Sequence, residues 1–269
     1  MCYNKVYIQL RKRTFMRALR IEEEELFVRE NGVVSLEALC ERFHVSLNTI
    51  RRDIACMVER GSVEKVFGGV RPASHRLTPF HMRDALLSAE KQRIGLAAAE
   101  LIHPGDVVYI GPGSTSYRLL DGISALSGVT VITNNLRAME HASTMANVTL
   151  IALPGQLFTR NISFNDPDQP SFFDRYNVRI AFMSVAGISL KRGVTYDSIA
   201  ESDFCRHVLT RCSKRVLMAD RTKFDVVGLT TTAELSSFDV LITDAAPSEA
   251  YLEEISRAGV RLIVAGQPE

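Results

Sequence analysis

Apolar residues recur at helical spacing in two short segments near the start of the chain. Ser35 and Ser46 precede these segments and are suitable N-cap residues, because a serine oxygen accepts a hydrogen bond from the first turn. His44 marks a brief break between the segments, and Gly61 ends the second. The pattern predicts two consecutive helices, with a further helix over residues 17–30. The apolar positions of the two segments are Leu36, Leu39, Cys40 and Phe43, then Ile50, Ile54, Met57 and Val58.

The spacing of apolar residues changes from helical to alternating after the second helix. Residues 63–67 alternate between apolar and polar and lead into Gly68 and Gly69, which is typical of a small β-hairpin. Helix, turn, helix and hairpin in this order predict a winged helix-turn-helix that binds DNA, and we assign it residues 16–72. Residues 1–15 are a basic N-terminal extension, and the pattern leaves open whether translation starts at the first or the second methionine.

The remainder of the chain predicts a second domain of a different class. Residues 73–90 lack a clear period and are interpreted as a linker. From residue 91 to residue 269, short apolar strands alternate with helices, which favours a Rossmann-like α/β domain with a largely parallel sheet. The predicted strands span 106–110, 129–133, 148–153, 180–185, 215–219, 240–243 and 261–264, and the predicted helices span 91–102, 202–212 and 248–258, with another from about residue 116.

Composition narrows the class of protein. The chain has 269 residues with 46% hydrophobic residues, enough for globular cores, and neither a signal peptide nor an apolar run of membrane-spanning length is evident. We therefore expect a cytoplasmic protein. The five cysteines include no CxxC pair, so neither a disulfide framework nor a metal site is predicted, and no cofactor is implied. The net charge of +1 means that any DNA binding depends on local charge.

One face of the second helix carries the side chains that suit DNA reading. The apolar stripe occupies the opposite face, so the polar residues point outward. Asn48 and Arg52 are expected to read base edges, because amide and guanidinium groups pair with adenine and guanine. The alternative is a small three-helix unit whose polar face is merely solvated. The residues expected to contact the DNA backbone are Ser46, Thr49, Arg51, Lys65 and Arg71.

A second motif follows the first strand of the α/β domain. Gly111 to Ser116 reads Gly-Pro-Gly-Ser-Thr-Ser and connects an apolar strand to a helix. Such a turn presents backbone N–H groups and hydroxyls where a phosphate can bind. The alternative is a tight turn with a serine N-cap. The candidate phosphate ligands are Gly113, Ser114, Thr115 and Ser116.

The segments VSLEALCERFHVSLNTIRRDI and GSVEKVFGGV resemble the DNA-binding domain of the DeoR family of bacterial repressors. Phe67 departs from the family pattern, which usually has histidine there. The resemblance continues in the second half and implies a sensor domain with a ribose-phosphate-isomerase-like fold. The matching segments there include Glu90-Lys91, 133–135, 154–155, 186–187, Glu201, 220–224 and 239–244.

The resemblance also implies roles for residues of the second half. Gly113, Ser114 and Thr115 would hold the phosphate of a phosphorylated sugar. Lys223 would supply a cation to the ligand, and Asp220 would orient the ligand. Asn134 is a candidate sugar or phosphate contact.

Two positions depart from the family pattern. Gly111 and Ala186 stand where the family usually has Asp, and Asp or Asn, so the sugar part of the ligand is expected to differ.

These observations favour a DNA-binding transcriptional regulator over an enzyme. We expect a repressor of a carbohydrate operon that binds double-stranded operator DNA as a homo-oligomer. A phosphorylated sugar or sugar acid would control it. We assign no catalytic residue. The alternative is a sugar-phosphate isomerase with an accessory DNA-binding domain.

Overall fold

The computed structural model describes residues 17, 20–21, 23–28, 31–59, 62–66, 68–72 and 80–266. The chain divides into an N-terminal unit, residues 1–78, and a C-terminal unit, residues 79–269. The predicted basic extension at 1–15 and the departure at Phe67 lie outside the described residues.

The N-terminal unit has the predicted order of helices and strands. Residues 17, 20–21, 23–28 and 31 are helical. They are followed by β1 (Val34–Ser35), α1 (Leu36–Phe43), α2 (Leu47–Glu59), β2 (Val63–Val66) and β3 (Gly69–Pro72), whose strands form an antiparallel sheet in the order β1-β3-β2.

The predicted caps and the break between the two helices are present. Ser35 Oγ accepts from Ala38 N–H at 3.1 Å, and Ser46 Oγ accepts from Thr49 N–H at 3.3 Å. His44 ends α1 in the left-handed conformation, with φ of 54°. The apolar stripes form the core of this unit, which includes Ile21, Val28, Leu39, Ile50, Ile54, Met57, Val63 and Val70.

The C-terminal unit begins earlier than the sequence predicts. Phe80–Ala85 form a short helix, α3, and Ser88–Ala99 form α4, so the second half of the predicted linker 73–90 is helical. Phe80 is buried, which ties α3 to the unit. The sequence pattern did not predict this helix, because six residues are too few to show a clear apolar periodicity.

A seven-stranded parallel sheet forms the centre of the C-terminal unit. Its order is β15-β14-β12-β9-β4-β5-β6. Apolar clusters cover both faces of the sheet, as the continuous apolar strands predict. The strands are β4 (Val107–Ile110), β5 (Val129–Thr133), β6 (Val148–Ala152), β9 (Ile180–Ser184), β12 (Lys214–Met218), β14 (Val240–Thr243) and β15 (Arg261–Val264), and their positions confirm the predicted α/β class.

Two small antiparallel sheets and further helices complete this unit. The sheets are β7-β8 and β10-β11-β13, and the sequence pattern did not reveal them because their strands are short and contain no continuous apolar run. Their strands are β7 (Gln156–Phe158), β8 (Ser163–Asn165), β10 (Gly187–Ser189), β11 (Gly193–Tyr196) and β13 (Thr230–Ala233). The helices are α5 (Leu136–Ala142), α6 (Gln169–Phe173), α7 (Ile199–Arg211) and α8 (Glu249–Arg257), with 3₁₀ turns at Ser116–Ile123, Arg221–Lys223 and Leu235–Ser237.

No helix in the part of the chain that the structure describes combines the length and apolar composition that crossing a membrane requires.

Candidate DNA-reading face and ligand pocket

The outward face of α2 has the side chains predicted for DNA reading. Asn48, Arg51 and Arg52 are exposed, and their side chains form no hydrogen bond or ion pair with another described residue. Ile50 and Ile54 on the opposite face are buried. The helix therefore presents polar groups that its own fold does not use.

Ser46 and Thr49 at the start of α2 bond to each other. Their hydroxyl oxygens are 2.9 Å apart, and Ser46 also accepts from the backbone of Thr49. Both hydroxyls thus have a capping role in this structure. Ser46 remains exposed at the helix N-terminus, where the helix dipole favours a phosphate.

The two basic residues of the hairpin differ in their surroundings. Lys65 is exposed without an ion partner among the described residues, and it lines a groove together with Arg51 of α2. Arg71 lies opposite Glu64 in the β2–β3 register, and its Nε and Nη2 donate to Glu64 Oε2 at 2.9 and 2.7 Å. Because Glu64 compensates its charge, Arg71 is a weaker candidate than Lys65.

An ion cluster around the buried Asp53 holds the side of α2 that faces the core of its unit. Asp53 accepts from Arg17 Nε at 2.8 Å and from Arg20 Nη2 at 2.7 Å. Arg20 also lies 3.5 Å from Glu24, whose carboxylate is fully buried and accepts no hydrogen bond from a described residue. Burial and the nearby Asp53 raise the pKa of Glu24 to about 7. The acidic run at 22–25 therefore includes a buried side chain, which its polarity did not suggest.

The strand order of the large sheet identifies where a ligand can bind in the C-terminal unit. The chain starts at β4, moves outward through β5 and β6, and returns to β9 on the other side of β4. The strand order thus reverses between β4 and β9. Beyond the carboxyl ends of these two strands the following connections lead to opposite sides, which leaves a crevice. The segment 111–116 follows β4 and the segment 185–187 follows β9, so both border this crevice.

The loop at 111–116 presents backbone donors. The N–H groups of residues 113–115 donate to no other described residue. The carbonyl oxygens of the loop, in contrast, are occupied: Asn135 Nδ2 donates to Gly111 and Gly113 at 3.3 and 3.0 Å, and Arg118 Nε donates to Ser114 at 3.1 Å. Three successive free amides are the arrangement that binds an anion.

Gly113 is required for this loop conformation. Its φ is +127°, and an added Cβ would lie 2.6 Å from the Cβ of Ser184 on β9. Glycine lets the loop approach β9 this closely.

Ser116 has a structural role in this structure. Its N–H donates to Ser184 Oγ at 3.1 Å, its hydroxyl donates to the Gly111 carbonyl at 2.7 Å, and it is fully buried. Ser116 thus holds the loop, whereas the hydroxyls of Ser114 and Thr115 form no hydrogen bond with another described residue.

Asn134 is also occupied by the fold. Its Oδ1 accepts from the Tyr109 hydroxyl at 2.9 Å, and its Nδ2 donates to the Phe164 carbonyl at 3.1 Å. The neighbouring Asn135, which matched the family pattern, is the residue that positions the loop. Sequence spacing could not separate these two roles.

Asp220 and Lys223 lie beyond the carboxyl end of β12, together with a lysine that the sequence analysis did not select. Lys91 is buried, and its Nζ is 3.9 Å from Asp220 Oδ2 and donates to the Arg83 carbonyl. Burial, Lys223 and Arg118 lower the pKa of Lys91 to about 8. Although burial opposes it, the charges of Lys223 and Lys91 lower the pKa of Asp220. Asp220 therefore balances two cations near the loop.

An open pocket adjoins the loop. Its volume is about 30 Å³, enough for a water molecule or one small polar group of a ligand. Glu201 is buried in its wall, and it accepts from Asn161 Nδ2 at 2.7 and 2.8 Å and from Ser163 Oγ at 2.8 Å. Burial raises the pKa of Glu201 although these bonds oppose it. The lining is Arg83, Pro112, Gly113, Asn161, Ser184, Val185, Ala186, Tyr196, Asp197 and Glu201.

The two departures from the family pattern border this region. Ala186 lines the pocket, and Gly111 lines a smaller cavity beside Asn134 that shares Pro112, Tyr196 and Glu201 with it. The polar side chains of the pocket include Arg83, Asn161 and Asp197, which are not among the ligand residues predicted from the sequence. Arg83 lay in the predicted linker, and the other two lie in loops without a motif.

Among the described residues, no three His, Cys, Asp or Glu side chains are grouped so that they could hold a metal ion.

Comparison with known proteins agrees with this organisation. Residues 20–76 match the DeoR-like helix-turn-helix domain, and residues 87–245 match the DeoR C terminal sensor domain. The solved ribose 5-phosphate isomerase A of Methanocaldococcus jannaschii aligns with a TM-score of 0.38 and 18% identity, over 51% of this chain and 55% of that one.

Several curated relatives match this chain along nearly its whole length. The transcriptional regulator IolR of Bacillus subtilis is 34% identical over 88% of this chain and 95% of its own length. The transcriptional repressor GlcR of Bacillus subtilis is 28% identical over 90% and 94%, and the glycerol-3-phosphate regulon repressor of Escherichia coli is 26% identical over 87% and 94%. With both domains matched along nearly the whole chain, this protein belongs to the DeoR family of transcriptional regulators.

Proposed function

We propose that this regulator is a repressor whose operator binding is released by a phosphorylated sugar bound at the loop 113–115. The observation that carries the proposal is the set of three free backbone N–H groups at the sheet crevice. Arg118 Nε donates to the Ser114 carbonyl of the loop, and Lys91 and Lys223 add positive charge close to Arg118, while Asp84 and Asp220 offset part of this charge. A phosphate ester supplies both the charge and the acceptor oxygens.

On the DNA side, α2 enters the major groove and the hairpin lies along the flanking backbone. Asn48 and Arg52 read base edges, while Ser46, Thr49, Arg51 and Lys65 contact phosphates, with a smaller contribution from Arg71. Paired half-sites require paired recognition helices, so the protein acts as a homo-oligomer, in the cytoplasm where operator DNA is present. Sedimentation of the full chain with and without operator DNA measures this state.

Release of DNA requires the ligand to bind the DNA-competent and DNA-incompetent states with different affinity. Fluorescence anisotropy on DNA from the promoter region of the protein's own operon tests this, with fructose 6-phosphate and unphosphorylated fructose as a matched pair. We expect the ester to lower DNA affinity and to stabilise the protein by about 2.7 kcal/mol at a hundredfold excess over Kd. Equal effects of ester and sugar would refute the phosphate site.

A variant of the loop localises the ester. We expect Ser114→Ala to weaken ester binding about 5- to 10-fold, because the phosphate loses one hydroxyl donor. Ser124→Ala is the matched control, since Ser124 is exposed at the end of the same 3₁₀ turn. Unchanged binding in Ser114→Ala would place the ester elsewhere.

The enzymatic alternative has one observation in its favour, the shifted pKa values of Glu201 and Lys91 close to the same loop. Turnover of pentose or hexose phosphates by the full-length protein, lost in Ser114→Ala, would support an isomerase instead of a sensor.

A further inference from the structure

Arg83 of α3 lines the ligand pocket and has one donor that no described residue uses. Its Nε is buried and has no hydrogen-bond partner in the described part of the chain, and the residue lines the pocket with Gly113 of the loop. A buried N–H without a hydrogen-bond partner is unfavourable, because it has lost its bonds to water. A ligand oxygen placed beside Nε would remove this cost.

Hydrogen bonds from Nη2 fix the orientation of the Arg83 guanidinium. Arg83 Nη2 donates to Asn161 Oδ1 at 2.8 Å and to the Arg160 carbonyl at 3.2 Å. Asn161 Nδ2 in turn donates to both carboxylate oxygens of Glu201, and Ser163 Oγ donates to Glu201 Oε1. The side chain is therefore held in place before any ligand binds, which lowers the entropic cost of binding.

The charge of the pocket decides which oxygen suits Arg83. Asp197 and Glu201 also line it, and Asp197 lies 3.6 Å from Arg160. The two carboxylates thus face two guanidinium groups and leave no surplus positive charge at this end. A third carboxylate, brought by a ligand, would meet like charge at close range. A hydroxyl or carbonyl oxygen accepts from Nε without that repulsion.

We infer that Arg83 binds an uncharged oxygen of the ligand, at the end away from the phosphate, so that the pocket selects phosphorylated neutral sugars over phosphorylated sugar acids. This inference rests on the proposed function, because it takes the loop 113–115 as the phosphate site. Arg83 then supplies part of the sugar recognition for which Gly111 and Ala186 lack a polar side chain.

Isothermal titration of the full-length protein tests the inference with four probes: inorganic phosphate, ribose 5-phosphate, fructose 6-phosphate and 6-phosphogluconate. The variant Arg83→Lys keeps the charge but lacks the Nε donor. We expect it to bind the tighter of the two neutral esters about tenfold more weakly, the effect of one hydrogen bond from a charged donor, and to bind inorganic phosphate within twofold of the unmodified protein.

Arg179→Lys is the matched control, because Arg179 binds Asp106 and the Leu101 carbonyl at the amino end of the sheet, away from the crevice. This variant replaces a guanidinium by an ammonium group far from the pocket. We expect it to bind every probe as the unmodified protein does. The unmodified protein should bind the tighter neutral ester at least tenfold more tightly than 6-phosphogluconate.

The outcomes separate the two proposals. Equal binding of neutral ester and acid, or unchanged ester binding in Arg83→Lys, overturns the role of Arg83 and leaves the phosphate site intact. An equal loss of phosphate and ester in Arg83→Lys also overturns it, because the variant would then have disturbed the loop. No binding of any phosphate compound by the unmodified protein overturns the phosphate site, and the inference with it.

Discussion

The proposed DNA-reading face and the ligand pocket use their polar side chains in opposite ways. On α2, Asn48 and Arg52 are exposed and take no part in holding their own unit together. In the C-terminal unit, Ser116 and Asn134 are buried and each bonds to the surrounding backbone. A protruding surface can thus keep its functional groups free, whereas a pocket built from loops must first use polar groups to fix those loops.

This difference predicts how substitutions act in each region. Changes on the face of α2 should alter DNA binding without altering stability. Changes at the pocket should divide into those that unfold its frame and those that remove a ligand contact. The following experiments test this division, beginning with the largest expected effect.

Asn134→Ala should lower the free energy of unfolding of the C-terminal unit by about 1–3 kcal/mol, because it leaves the buried Tyr109 hydroxyl without a partner, whereas the Phe164 carbonyl keeps its bond from Gln169. Denaturant unfolding of the full chain measures this, with the exposed Gln156→Ala as control. Unchanged stability combined with weakened ester binding would instead make Asn134 a ligand contact and contradict the comparison.

Arg52→Ala should weaken operator binding by about 1–3 kcal/mol and relax the sequence preference, because a base contact is lost. Its unfolding free energy should stay within about 0.5 kcal/mol, as for an exposed substitution. Anisotropy titrations on operator and scrambled DNA measure the first effect. Lys65→Ala is the contrasting variant: it should weaken both DNAs alike and reduce the salt slope by about 1. Unchanged operator binding in Arg52→Ala would mean that α2 presents another face to DNA.

Glu24→Gln should stabilise the N-terminal unit by about 1–2 kcal/mol at pH 8 and by much less below pH 4.5. The pKa of Glu24 is raised from 4.5 to about 7 by burial, so the folded state holds a proton that the unfolded chain releases between these values. The free energy of unfolding therefore falls as pH rises through this interval, and glutamine removes that loss. Thermal melts at several pH values measure the difference, and the exposed Glu23→Gln should show none.

Local patterns in the sequence predicted most of the fold. The apolar stripes of α1 and α2, their serine caps, the Gly68–Gly69 turn and the apolar strands of the sheet each depend on neighbours only a few residues away. The helix α3 and the strands of the two small antiparallel sheets were missed, because they combine few residues with no continuous apolar run and so show no detectable period.

The sequence by itself determined which residues of α2 face outward, because helical geometry converts spacing into direction. It also located the loop at 111–116, because glycine and hydroxyl residues after a buried strand indicate a turn into the next helix. Only the tertiary structure decided which polar side chains of the C-terminal unit remain available to a ligand. Arg83, Asn161 and Glu201 are brought together from segments up to 118 residues apart in the chain. Of their polar atoms, Arg83 Nε is buried without a partner among the described residues, whereas Ser116 and Asn134 are bonded within the fold, and spacing in the sequence cannot encode this difference.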